Sequence, residues 1–131
     1  MANPKTIARL EGQIRRRAAH CLQFEIADPR AAFITITAVE LSKDLTHGKI
    51  HYSVLGDEVD RSKAQHMLAD AAGYIQRQIG RVLHVRRMPH LRWVYDDSAE
   101  RASELDLLIR EARRRDAQIN PGLMDEDGEE E

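Results

Sequence analysis

Apolar residues in the first third of the chain recur at helical steps. Ile7, Leu10, Ile14, Ala18, Cys21 and Leu22 follow one another at such intervals and predict one buried stripe. Arg9, Gln13, Arg16, His20 and Gln23 repeat on the far side, so the predicted helix carries an apolar face and a basic face. It should stop before Pro29, because Asp28 precedes a proline and is pushed out of helical geometry. The period then changes. Residues Phe33 to Leu41 are rich in β-branched side chains and hold no Gly or Pro, which predicts a strand. Ser42 to Thr46 supplies turn chemistry, and Lys49 to Leu55 reads as a second strand. So short a connection implies an antiparallel hairpin. Gly56-Asp57-Glu58 breaks the pattern, and Asp57 or Asp60 is placed to cap a following helix.

The second helical pattern puts Ala64, Met67, Leu68, Ala71, Tyr74, Ile75 and Ile79 on one side. Lys63, His66, Asp70, Gly73 and Arg77 lie opposite. Gly73 thus falls on the polar face, where close packing against a core gives no reason for it. A glycine inside a helix costs about 1 kcal/mol relative to alanine. Three readings stand: a kink at Ala71-Ala72-Gly73, a backbone that another molecule approaches closely, or a neutral tolerated glycine. Gly80 is expected to end this helix. Pro89 introduces a third strand, Leu91 to Tyr95. Asp97 with Glu100 resembles a capping box for a last helix whose apolar face is Ala102, Leu105, Leu108, Ile109 and Ala112. The order helix, strand, strand, broken helix, strand, helix predicts an α+β domain with helices on one small sheet.

Composition changes this picture in two places. The chain of 131 residues carries 20 Lys+Arg and 22 Asp+Glu, a net charge of -2 that by itself argues against a nucleic-acid partner. However, six of the acidic residues lie between Asp125 and Glu131, so residues 1–124 hold 20 basic and 16 acidic groups, a net of +4. Sixteen of the basic residues are arginine, whose guanidinium suits bidentate phosphate contacts. The expected organisation is one domain over residues 1–119 and an acidic, disordered tail over 120–131. The second change concerns compartment. No apolar run approaches the roughly 20 residues that span a bilayer. The start lacks the apolar stretch of a signal peptide, which leads to the expectation of a cytoplasmic protein without membrane contact.

Enzyme chemistry finds no foothold. Gly56, Gly73 and Gly80 are too far apart for a phosphate-gripping loop. Cys21, the single cysteine, lies on the buried stripe as a small core residue and cannot form an internal disulfide. Asp96 and Asp97 with His84 or His90 would be a poor metal set, since adjacent residues at a strand end point to different sides. No catalytic residue, cofactor or metal is therefore expected. Basic residues are better candidates: Arg30, Lys43, Arg77, Arg81, Arg86 and Arg87 could neutralise phosphates if they share a face, and are a solvated surface otherwise. Low aromatic content argues for backbone recognition over base stacking on a sheet.

Several segments, in order and with matching spacing, resemble the bacterial ribosome-binding factor A family. They are Asp28-Pro29-Arg30, Thr37 to Leu45, Tyr52 to Asp57, Ala71-Ala72-Gly73-Tyr74-Ile75, and Leu91 to Ser98. Departures are small-residue exchanges at Ala31-Ala32 and Gly48, and a segment before Ile7 with Lys5 as its one basic residue. The resemblance implies a type II KH-like domain of order αββααβ with a closing C-terminal helix. It also implies that the kink at Ala71, Ala72 and Gly73 replaces a GxxG loop and contacts RNA. The implied partners of a free monomer are the small ribosomal subunit and its precursor rRNA. The implied role is non-enzymatic help in late maturation, including 5′-end processing and growth in the cold. A protein-binding adaptor acting through the acidic tail is the alternative, which salt-insensitive binding would favour.

Overall fold

Asn3 starts the first helix, its Oδ1 accepting a 2.8 Å hydrogen bond from the Thr6 N–H. Pro4 at the first helical position loses nothing there, since its absent N–H would have had no helical partner. The computed structural model describes residues 2–119. Helix α1 spans Pro4–His20, with Leu10, Ile14 and Ala18 buried as the stripe predicts. It continues into a wider π turn, Cys21–Glu25, in which Cys21 and Leu22 are buried. Asp28 then caps a 3-10 turn at Pro29–Phe33, its side chain accepting from the Arg30 N–H.

Strands β1 (Ile34–Leu41) and β2 (His47–Val54) form the expected antiparallel hairpin. A bulge between Ile36 and Ala38 shifts the inward face by one residue. Ile34 and Ile36 point into the core before it; Val39 and Leu41 pack there after it. Gly56, with φ of +130°, then turns the chain into helix α2. Asp57 and Asp60 complete a reciprocal capping box, each side chain accepting the other's N–H at 3.0 Å.

Helix α2 runs from Glu58 to Val82 as one span. The helix therefore continues through Ala71–Gly73 and two residues past its expected end at Gly80. The reason lies in packing. Ile75 and Ile79 beyond the glycine are at most 1% exposed, so their burial outweighs a cost of about 1 kcal/mol for Gly73. Strand β3 (His90–Tyr95) pairs in parallel with β2, giving sheet order β1-β2-β3. Apolar side chains from α1, the inner sheet face and α2 make one core, from Leu10 and Ile14 through Ile36, Ile50 and Tyr52 to Met67, Ile75 and Ile79.

The chain divides into two compact units, residues 1–96 and 97–131. In the second, helix α3 spans Ser98–Ile119, beginning directly after Asp97. Its side chains Leu105, Leu107 and Leu108 are exposed. The acidic tail of residues 120–131 lies outside the described residues. Among the described residues, no helix is long and apolar enough to cross a membrane.

Candidate nucleic-acid interface

The polar side of α2 is the starting point. Gly73 is exposed there, as its place in the pattern predicts. A Cβ built on it would meet a single neighbouring atom, Arg77 Nη1 at 3.4 Å, an ordinary contact with a flexible side chain. Its φ needs no glycine either, because Gly56 alone among the described glycines lies at positive φ. Nothing within the unit therefore requires a glycine at this position. Gly73→Ala should raise the thermal stability of the free protein, by about 0.5–1 kcal/mol. If a ligand backbone needs the space, the same change will weaken binding. Melting and binding measured on one sample check both halves.

Its neighbours have different surroundings. Ala71 packs against the core. Ala72 and Gly73, with Gln76 one turn on, line a groove of about 260 Å³ between α2 and the sheet. Leu91 and Trp93 of β3 form the other wall. Gln76 also ties the α2–β3 loop down, its Nε2 donating to the Pro89 carbonyl at 2.8 Å. Periodicity alone does not single out Gln76, and it assigns Trp93 to the core. Gln76 nevertheless carries a usable signal, since it is three residues from Gly73 and on the same side of the helix.

The basic candidates divide into two groups. Arg77 and Arg81 follow Gly73 at four-residue intervals along the exposed side of α2. Arg86 and Arg87 lie in the loop before β3 and, with Asp44, Leu45 and Thr46, line a cleft of about 410 Å³. A hydrogen bond of 2.9 Å from the His90 N–H to the Thr46 carbonyl joins that loop to the hairpin turn. Exposed Lys43 belongs to the same turn, one residue before Asp44 of that cleft. Arg30 stands apart. It is ion-paired with Asp28 and donates to the Lys63 carbonyl at 3.3 Å. Lys63 lies ten residues before Gly73, about 15 Å along the helix. The Arg30 guanidinium holds the Asp28 carboxyl down to about 2, so the pair stays charged across the 3-10 turn.

A polar network fixes α2 against the first helix beside the glycine. Glu25 on the π turn is ion-paired with Arg17 and accepts from the Tyr74 hydroxyl at 2.6 Å. Arg17 Nη2 also donates to Gln78 Oε1 at 3.1 Å. The Arg17 guanidinium, then the Tyr74 hydroxyl, hold the Glu25 carboxyl down to about 2, so it stays ionised at neutral pH. Two residues of α2, Tyr74 and Gln78, are thereby anchored on the stretch of helix that carries Gly73 and Arg77.

Among the described residues, no group of three or more His, Cys, Asp or Glu is disposed to hold a metal ion. Cys21 is fully buried, and that burial pushes its thiol pKa up, away from thiolate chemistry.

Comparison with known proteins adds an independent finding. A family profile described as ribosome-binding factor A matches residues 6–109. The ribosome-binding factor A of Chromobacterium violaceum is 42% identical over 110 residues, covering 84% of this chain and 79% of its own. That of Thioalkalivibrio sulfidiphilus is 37% identical over 121 residues, covering 90% and 94%. The crystal structure of ribosome-binding factor A from Thermus thermophilus superposes with a TM-score of 0.59 at 29% identity, over 68% of this chain and 94% of that one. A homology model of the Thermus thermophilus factor, fitted into a cryo-electron microscopy map of its complex with the 30S subunit, gives 0.57 at 28% identity. It covers 70% of this chain and 96% of its own.

Proposed function

Because the chain belongs to the ribosome-binding factor A family, we propose that it binds the immature small ribosomal subunit and its precursor rRNA. In this reading it is a non-enzymatic cytoplasmic factor, monomeric when free, that assists late maturation of the subunit, including 5′-end processing of the rRNA. The observation that carries the reading is Gly73. It is an exposed helical glycine with no conformational or packing need, it lines a groove, and arginines follow it one and two turns on. A sugar-phosphate backbone approaching Gly73 would find Arg77 and Arg81 on the helix, and Arg86, Arg87 and Lys43 on the neighbouring loops. Read in this way, the domain is a type II KH-like fold, with Ala71, Ala72 and Gly73 in place of the GxxG loop. Ala71 would act from beneath, by seating the helix on the core.

Sedimentation tests the reading. The full chain should pellet with small subunits isolated from cells, more with immature than with mature particles. Ribonuclease treatment should release it. Its affinity should fall log-linearly with salt, as counterion release requires. Absence of pelleting would refute the reading, and salt-insensitive pelleting would assign the contact to a protein partner.

A further inference from the structure

Helices α1 and α2 pack on one side of the sheet, where Ile34, Ile36, Ile50 and Tyr52 are buried. Strand register fixes which residues share the other side. Ile34 faces Val54 on the inner side, so the pairs that flank it, Thr35–Ser53 and Phe33–Leu55, turn outward. The second of these closes the ladder, with the Leu55 N–H donating to the Phe33 carbonyl at 2.9 Å. It is an apolar pair in water: Phe33 is 51% and Leu55 75% exposed. Past Thr35 and Ser53, the next outward row of paired residues is Ala38, His51 and Val94. This half of the outer face is therefore apolar or small, and its paired residues include no lysine or arginine.

Its borders are acidic. Directly after Leu55 and Gly56, the start of α2 brings three exposed carboxylates, Asp57, Glu58 and Asp60, with no cation among them. Asp96 follows β3, its Oδ2 accepting from the Thr37 hydroxyl at 2.7 Å. At the far end Glu40 Oε1 lies 2.5 Å from His51 Nε2. Cations nearby are engaged: Arg61 lies 4.7 Å from the centroid of the Tyr95 ring, and Arg30 is paired with Asp28. The first outward cations, Lys49 and Arg92, share their row with Glu40. An exposed apolar pair beside a run of carboxylates repels a phosphate backbone. It is complementary to a polypeptide that carries both apolar and cationic side chains.

We infer that the outer face of the sheet around Phe33 and Leu55 is a docking surface for a basic polypeptide segment. The segment seats an apolar side chain on this pair and sets a lysine or arginine against Asp57, Glu58 and Asp60. This partner is additional to the RNA read from the Gly73 surface, and the inference stands or falls without that reading.

Three labelled peptides of equal length test it by fluorescence anisotropy with the full chain. One is built of leucine and lysine, one has serine in place of leucine, and one has glutamate in place of lysine. The leucine–lysine peptide should bind and the other two should not. Leu55→Ser, at an exposed side chain, should weaken that binding about tenfold with unchanged melting. Glu58→Lys should weaken it too, and it spares Asp57 and Asp60, which cap the helix. Equal binding of the three peptides would overturn the inference, as would equal binding of the first by Leu55→Ser and the unsubstituted chain. Loss of uridine-oligomer binding in Leu55→Ser would overturn it by assigning the face to RNA. Self-association of the unsubstituted chain that Leu55→Ser abolishes would overturn it by assigning the face to a second copy.

Discussion

Reversing the charge of Arg77 and Arg81 together should lower affinity for the small subunit by about 25-fold at roughly 0.1 M salt, if each guanidinium neutralises one phosphate. The figure follows from counterion release on single strands, where each neutralised phosphate contributes roughly 0.7 to the slope of log K against log salt. The slope should accordingly flatten by about 1.4, and repulsion by the new carboxylates adds to the loss. Both guanidinium groups lie on the exposed side of α2, one turn apart, so their replacement removes no buried contact. Arg30→Glu is the matched comparison. Because Arg30 is committed to Asp28 and the Lys63 carbonyl, its reversal should cost stability in the 3-10 turn and change the salt slope little. Equal salt slopes for the double variant and the wild type would show that phosphates do not lie along this helix.

Ile79→Ala should destabilise the first unit by about 2–5 kcal/mol, through lost burial and the cavity left behind. The side chain is completely buried, on the last turns of α2, where it also lines the groove beside Gly73. For a unit of this size, such a loss corresponds to a fall in Tm of roughly 10–25 °C. Binding should decline with it even below the new Tm, because Ile75 and Ile79 are what keep the helix continuous past its glycine. Ile79→Val, which removes one methylene group, should cost about 0.5–1.5 kcal/mol and retain most binding. Calorimetric melting, with pelleting in the cold, checks both variants. An alanine variant that melts together with wild type would mean that the second half of α2 is held by something else.

Much of this arrangement can be read from residue order. The stripe Leu10, Ile14, Ala18 marks α1 because every third or fourth residue must face one core. Gly73 is legible as a polar-face residue by the same periodicity. Other features escape for physical reasons. Gly80 does not end α2: the backbone first becomes extended at Leu83, whose burial continues the packing of Ile75 and Ile79. The bulge between Ile36 and Ala38 substitutes Val39 and Leu41 for Ala38 and Glu40 on the inner face, a shift no alternation pattern announces. Arg30 looks like the other arginines because an ion pair two residues away is invisible until the 3-10 turn closes it. The meeting of the hairpin turn with the Arg86–Arg87 loop depends on parallel pairing of β3 with β2, a long-range event.

That parallel pairing is also the more non-local of the two pairings in the sheet. In the hairpin, Leu41 faces Gly48, seven residues away; across the sheet, His47 faces His90, 43 residues away. Closing the longer loop costs about 1.6 kcal/mol more in chain entropy, a cost offset when α2 is already folded between the two strands. The groove at Gly73 has α2 for one wall and β3 for the other, so it is a product of this late, non-local step. A nascent chain that has not yet released Tyr95 from the ribosome holds its arginines on a helix without the wall opposite. The groove beside Gly73 is thus complete only when the protein's own synthesis has passed its third strand.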